Sequence, residues 1–226
     1  MRLRDRSAAG RLLAPKLSHY EGYRPVVLAI PCGGIPVAAE VARSLRAPLD
    51  VAVVQKGGEL RRAERGVVVV AEEGCLHLLE EPADEAEIAR PEAAELERRV
   101  RHFRAGRRPI DVKGRTVILV DDGAATGLTC RAAIASLRQQ APARVVLAVP
   151  VMPAPLADEL GAIADEVVCL VAPESLWTIA SWYGDFGRLS DDEASACLAR
   201  ARAASPKAPQ TVSRPPPRVE QRWAFW

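Results

Sequence analysis

Two adjacent carboxylates, Asp121 and Asp122, follow the apolar run Val117-Ile118-Leu119-Val120 and precede Gly123-Ala124-Ala125-Thr126-Gly127-Leu128-Thr129. The string has the parts of an anion site. Small residues let a backbone approach a ligand closely. The amides that open a helix are unpaired and carry the positive end of its dipole, which suits a phosphate, and Thr126 and Thr129 add hydroxyl donors. Neighbouring carboxylates repel each other, so the pair calls for a cation or for sugar hydroxyls that donate to it. A plain strand–turn–helix connection with an Asp cap explains one acid and one Thr, but not the whole string. A second small turn, Pro31-Cys32-Gly33-Gly34, follows the apolar run Val26–Ile30; taken alone, Gly-Gly is equally a tight turn. No Gly-Lys-Ser/Thr loop, G-x-G-x-x-G, G-x-S-x-G or metal-spaced set among His19, His77 and His102 accompanies them.

These residues need a scaffold. Val26–Ile30, residues 49–54, Thr116–Val120, Val145–Val149 and Val167–Val171 are β-like, mostly apolar runs of strand length. Helical spacing occupies Val37–Leu45, Cys130–Gln140 and Leu156–Ala164, and Val67–Ala71 reads as an antiparallel or edge piece. Apolar strands alternating with helices predict an α/β fold with a doubly wound parallel sheet covered on both faces. Ligands bind such sheets outside the carboxyl ends of the strands, which directs attention to the residues after Ile30, Val54 and Val120.

Composition bounds the remaining classes. A chain of 226 residues, 49% hydrophobic and 27% charged, fits one substantial soluble domain. A formal charge of +2 provides no bulk field for nucleic acid. No apolar run approaches the roughly 18 residues of a membrane span; the best candidate, Pro25–Val41, is broken by Pro31, Gly33, Gly34 and Pro36. The opening Met-Arg-Leu-Arg-Asp-Arg does not read as a secretory signal, and the scattered Cys32, Cys75, Cys130, Cys169 and Cys197 suit free thiols in a reducing cytoplasm. Between Glu80 and Arg108 the chain is acidic and then basic. It reads as an amphipathic helix with Leu96, Val100 and Phe103 inward, a nucleic-acid surface being the alternative reading of Arg98–Arg108. Residues 1–203 form the domain, and prolines mark 204–226 as a flexible tail with Trp223, Phe225 and Trp226 at its end, either folding back or docking a partner.

The acid-pair string resembles the phosphoribosyl pyrophosphate (PRPP) motif of the type I phosphoribosyltransferases, a 13-residue pattern of high specificity. The likeness extends from Leu3 to about Ala196. It includes Asp5-Arg6 through Ala14, Pro31–Val37, and the ending Trp182–Glu193, as in predicted bacterial proteins with this domain. The resemblance implies a parallel sheet flanked by helices with a small hood. It implies that PRPP and Mg²⁺ are bound and that the phosphoribosyl group passes to a nitrogenous base as pyrophosphate leaves. Carried over, Asp121 and Asp122 contact the ribose hydroxyls and the Mg²⁺-bound ligand and support an oxocarbenium-like transition state. Gly123, Ala124, Ala125, Thr126, Gly127, Leu128 and Thr129 then form the PRPP loop, with Ala125–Thr129 around the 5-phosphate. Pro31, Cys32, Gly33 and Gly34 form the pyrophosphate loop, which in relatives often holds a non-proline cis peptide. Lys56, closing the second apolar run, would neutralise pyrophosphate; by itself a loop lysine is a solvated side chain. Relatives are often dimers.

Departures from the family's pattern bear on activity. Cys32 stands where relatives carry Arg, which removes a charge and a bidentate donor. Its thiol reads either as acidified by nearby helix-terminal amides or as a small buried side chain. Gly57–Arg65 differs from the usual loop and is either a lid or a solvated loop. Ala125 replaces the acid that 6-oxopurine transferases use, which argues against a hypoxanthine/guanine activity of that type. Trp177 or Tyr183 would stack on the acceptor, unless each simply packs. Two alternatives stay open beside the enzyme: a PRPP- or nucleotide-sensing regulator that binds RNA through Arg98–Arg108, and an adaptor recruited through the tail.

Overall fold

The computed structural model describes residues 2–57, 68–71, 76–78 and 85–205. Strands without a polar face must be covered on both sides, and five of them build one parallel sheet. They are β1 (Val26–Ala29), β2 (Leu49–Val51), β6 (Thr116–Val120), β7 (Arg144–Val151) and β8 (Glu166–Val171). Their order is β2-β1-β6-β7-β8, parallel throughout. Side chains alternate between two cores, as a period of two requires. Val27, Ala29, Ile118, Val120, Val146 and Ala148 face one core; Val26, Leu28, Val117, Leu119, Val145 and Leu147 face the other.

Helices cover both faces, as expected of a doubly wound sheet. The first core is closed by α1 (Arg6–Leu13), α2 (Gly34–Ser44), α3 (Glu85–Arg104) and α6 (Asp191–Ala204), which supply Leu13, Ile35, Val41, Leu96, Phe103 and Leu198. The second is closed by α4 (Leu128–Gln139) and α5 (Ala154–Gly161) through Ala133, Leu137, Leu156 and Leu160. Leu96 and Phe103 are buried and Val100 packs beside them, the inward face expected of the amphipathic helix. Helix α6 starts at a Ser190 capping box completed by Glu193. Most of the proline-rich tail, residues 206–226, lies outside the described residues, as does Cys75.

One expectation changes. The run over residues 49–54 is not a single strand. Strand β2 stops at Val51, and the Ala52 amide donates to the Ala29 carbonyl at 2.9 Å. The chain then enters a separate antiparallel sheet of β3 (Val54–Gly57), β4 (Val68–Ala71) and β5 (Leu76–Leu78). The break at Ala52–Val53 falls among apolar residues with no Gly or Pro to mark it, so both pieces read as one element. The antiparallel reading of Val67–Ala71 is the one the structure adopts, over Val68–Ala71. Among the described residues, no helix is long and apolar enough to cross a membrane.

Candidate active site

Strand order fixes where a ligand can enter. From β1 the chain moves outward to β2 and later returns to β6 on β1's other side, so the topological switch point lies between β1 and β6. Crevices open outside the carboxyl ends of strands at such a point. The turn after β1 is Pro31–Gly33 and the segment after β6 is Asp121–Gly127, which brings the two sequence-selected groups together there. The Ile30 amide donates to the Val120 carbonyl at 2.8 Å and ties the two strand ends side by side.

The first turn depends on small residues. Its Pro31–Cys32 peptide is cis. A Cβ on Gly33 would overlap the Asp122 carboxylate, and one on Gly34 would lie 2.6 Å from the Val120 carbonyl oxygen. Glycine is therefore what permits the turn to pack directly against the acid pair. In the second segment, Gly127 adopts a left-handed backbone (φ +72°) and precedes α4 with no side-chain cap on its first amides. Ala125 and Thr126 are exposed beside those amides, while Ala124 is buried, its amide donating to the Val151 carbonyl at 2.9 Å.

The two carboxylates are held differently. Asp122 Oδ2 accepts from Arg6 Nε at 2.6 Å, and its carbonyl accepts from the Tyr183 hydroxyl at 2.6 Å. The Arg6 guanidinium also donates to the Gly187 carbonyl at 2.9 Å and lies 3.9 Å from the Phe186 ring centroid. Asp121 Oδ1 accepts from the Asp122 amide at 2.8 Å. Burial raises the Asp121 carboxyl well above the usual carboxylate range, and the neighbouring Asp122 charge raises it further. Burial also holds Asp122 above its ordinary value, against the opposing pull of Arg6.

Cys32 does not carry an acidified thiol. It donates to Asp191 Oδ1 at 3.0 Å, and burial, then that hydrogen bond, push its pKa up to about 11, which outweighs the nearby Arg99. Lys56 lies in β3, its backbone in register with Val69, rather than at the end of β2. Gly57–Arg65, read as either a lid or a solvated loop, falls, after Gly57, outside the described residues. Tyr183 is buried with its hydroxyl engaged, so it does not present a face to a ligand. Trp177 is 98% exposed, and nearby Ile179 packs over Gly123.

Sequence reasoning missed the roles of Arg6, Arg99 and Asp191. Arg99 had a signal: its three-residue spacing from Leu96 and four-residue spacing to Phe103 put it on the inward face of α3. Arg6 lies in the opening segment that resembles the family, but its role had no local signal, because its partner is 116 residues away. Much of the basic run is matched within the chain. Arg98 pairs with Glu95 and Asp191, Arg101 with Glu97, and Arg104 with Asp50.

Comparisons with known proteins identify the family. The family model described as the phosphoribosyl transferase domain matches residues 6–182. A provisionally named phosphoribosyl transferase of Mycobacterium tuberculosis, found in strains CDC 1551 and H37Rv, is 42% identical over 206 residues. That match covers 87% of this chain and 46% of the relative, so the chain spans about half the length of the curated relatives it matches. The crystal structure of TT1426 from Thermus thermophilus is 39% identical with a TM-score of 0.76, covering 91% of this chain and 100% of that one.

Proposed function

Because this chain belongs to the phosphoribosyltransferase family, we propose that it binds PRPP with Mg²⁺ and transfers the phosphoribosyl group to a nitrogenous base. The observation that carries the reading is the meeting, at the switch point, of a glycine turn, an acid pair and an uncapped helix start. The amides of Ala125–Thr129 and the hydroxyls of Thr126 and Thr129 take the 5-phosphate. Asp121 and Asp122 accept the ribose hydroxyls, with Asp122 steadied by Arg6. The turn Pro31–Gly34 receives the diphosphate, with Lys56 as a further cation.

In the reaction the bond from ribose C1 to the pyrophosphate oxygen breaks and a bond from C1 to the base nitrogen forms. The electron pair leaves with pyrophosphate, and the base's ring N–H proton passes to solvent or to the departing anion. Charge that develops on the ribose ring faces the Asp121 and Asp122 carboxylates, which stabilise it without forming a bond.

The donor set fits Mg²⁺. Among the described residues no cluster of three or more His, Cys, Asp or Glu forms a cage. Mg²⁺ is ordinarily held by one or two carboxylates together with substrate phosphates and waters. Asp121 and Asp122 would supply the carboxylates; a cation would offset both the burial and the neighbouring Asp122 charge that raise Asp121. When bound, the ion offsets the charge of the diphosphate.

Thermal unfolding with PRPP and Mg²⁺ tests the reading. Ligand at about 100 times its dissociation constant stabilises the native state by roughly 2.7 kcal/mol. The shift should vanish in Asp121→Asn/Asp122→Asn, and pyrophosphate release across a panel of bases should then identify the acceptor. No shift in the wild type would remove the PRPP site.

A further inference from the structure

Arg99 projects from α3 to the turn after β1, with its side chain only 14% exposed. One guanidinium nitrogen, Nη1, donates to the Val54 carbonyl at 3.2 Å and to Gln55 Oε1 at 3.3 Å. The other, Nη2, donates to Cys32 Sγ at 3.4 Å and lies 3.6 Å from Asp191 Oδ1. Two of the other enclosed arginines are matched more tightly. Arg6 meets Asp122 at 2.6 Å and Arg104 meets Asp50 at 2.6 Å. Arg99 is thus an interior cation whose hydrogen bonds go to neutral acceptors and whose carboxylate partner stands back. A desolvated guanidinium in that position gains from a closer anion.

Asp191 is shared rather than owned. Its Oδ1 accepts from the Cys32 thiol, and its Oδ2 accepts from the exposed Arg98 at 2.8 Å. One carboxylate therefore sits against the turn and the cation together, with Arg98 available to hold it if it withdraws. Cys32 itself offers no charge to an anion, its thiol being held protonated by burial and by Asp191.

We propose that Arg99 is an anion-binding residue for the leaving diphosphate at the Pro31–Gly34 turn, and that the Asp191 carboxylate holds that position until the diphosphate arrives. The proposal rests on the phosphoribosyl-transfer reading above. It assigns the cation of the turn to a helix some 67 residues further along the chain. On binding, the Asp191 carboxylate turns to Arg98, and the diphosphate oxygens take the Arg99 Nη2 donor and the turn amides. No covalent bond changes.

The test is calorimetric titration of inorganic pyrophosphate with Mg²⁺ at fixed ionic strength into the full chain, using wild type, Arg99→Gln, Arg99→Lys and Asp191→Asn. A lost charge-assisted hydrogen bond corresponds to a weakening of about 10- to 100-fold. Arg99→Gln should show that loss and Arg99→Lys a smaller one, while Asp191→Asn should bind more tightly than wild type. The opposite signs are decisive. Both Arg99→Gln and Asp191→Asn break the same ion pair, so a merely structural pair would make them move together. Equal affinity in all four proteins, or weakening in both Arg99→Gln and Asp191→Asn, overturns the assignment while leaving phosphoribosyl transfer intact. Wild type that binds PRPP but not pyrophosphate also overturns the assignment alone. A wild type that binds neither overturns both.

Discussion

Arg6 Nε donates to Asp122 Oδ2 at 2.6 Å while its guanidinium lies 3.9 Å from the centre of the Phe186 ring. This pairing fastens the first helix and the segment after β8 to the acid at the end of β6. Both partners are nearly buried, with side-chain exposures of 14% and 11%. Arg6→Ala should cost about 3 kcal/mol, the low end for breaking a buried pair. For a domain of this size that lowers the melting temperature by roughly 6–12 °C. Arg6→Lys, which keeps the charge but not the flat stack on Phe186, should fall between the two in a thermal scan. An Arg6→Ala protein melting with the wild type would show that the pair contributes nothing.

The glycine turn makes a sharper demand. Gly34→Ala drives a Cβ toward the Val120 carbonyl, a backbone atom that cannot swing aside, and should destabilise by about 1–3 kcal/mol. Gly33→Ala meets the Asp122 carboxylate instead, which must move, so PRPP binding should suffer more than the fold does. Gly22→Ala, with nothing within 4 Å of its Cβ, serves as the reference. Denaturation midpoints and PRPP titrations of the three variants check the ordering.

Cys32, with its pKa pushed up to about 11, should behave as a sluggish thiol. Only the thiolate reacts, so its alkylation by iodoacetamide should climb by about tenfold per pH unit from pH 8 to 10. An ordinary thiol levels off near its own pKa of about 8.5. Bound PRPP should slow the reaction. Peptide mapping of the modified protein follows both; a plateau by pH 9, or equal rates with and without PRPP, would count against the geometry of the turn.

Trp177 carries no packing role, being almost fully exposed. Trp177→Ala should therefore leave stability within about 0.5 kcal/mol of wild type. If its ring stacks on the acceptor, the KM for the base should rise by about 5- to 100-fold, since such stacking is worth about 1–3 kcal/mol. PRPP affinity should be unchanged. A variant with an unaltered KM for every active base would place the acceptor elsewhere.

At the outer edge of the sheet, Asp50 accepts from Arg104 Nη1 at 2.6 Å, from Arg202 and from the Ile110 amide at 2.9 Å. It therefore fixes α3 and α6, the helices that bear Arg99 and Asp191, to β2. Asp50→Ala leaves two interior guanidinium groups facing one another and should cost about 3–5 kcal/mol. Urea unfolding should show the midpoint falling at constant slope.

What the sequence discloses divides along physical lines. Thr116–Val120 is legible because four apolar residues after Thr116, framed by Lys113-Gly114 and Asp121-Asp122, have one reading. The acid pair and the small-residue segment after it are legible because their chemistry is local. The boundary between β2 and β3 is not, since Ala52 and Val53 continue the apolar run through the bend. Pairings such as Arg6 with Asp122 and Arg99 with Cys32 are set by the fold of distant segments, and local pattern holds no record of them.

Leu3 forms a bridge with Tyr183, and Arg2 donates to the Tyr183 carbonyl across 181 positions. The earliest and some of the latest described segments thus clasp one another over the carboxyl end of β6. Synthesis runs in one direction, so a growing polypeptide holds all five strands of the parallel sheet before it can close this clasp. The sheet's strands precede the pocket's cover in time, and the clasp closes over a sheet whose strands have all been made. A cut or fusion that loosens residues 2–6 would, by the same logic, strip the pocket of Arg6 and its cover while sparing the sheet beneath.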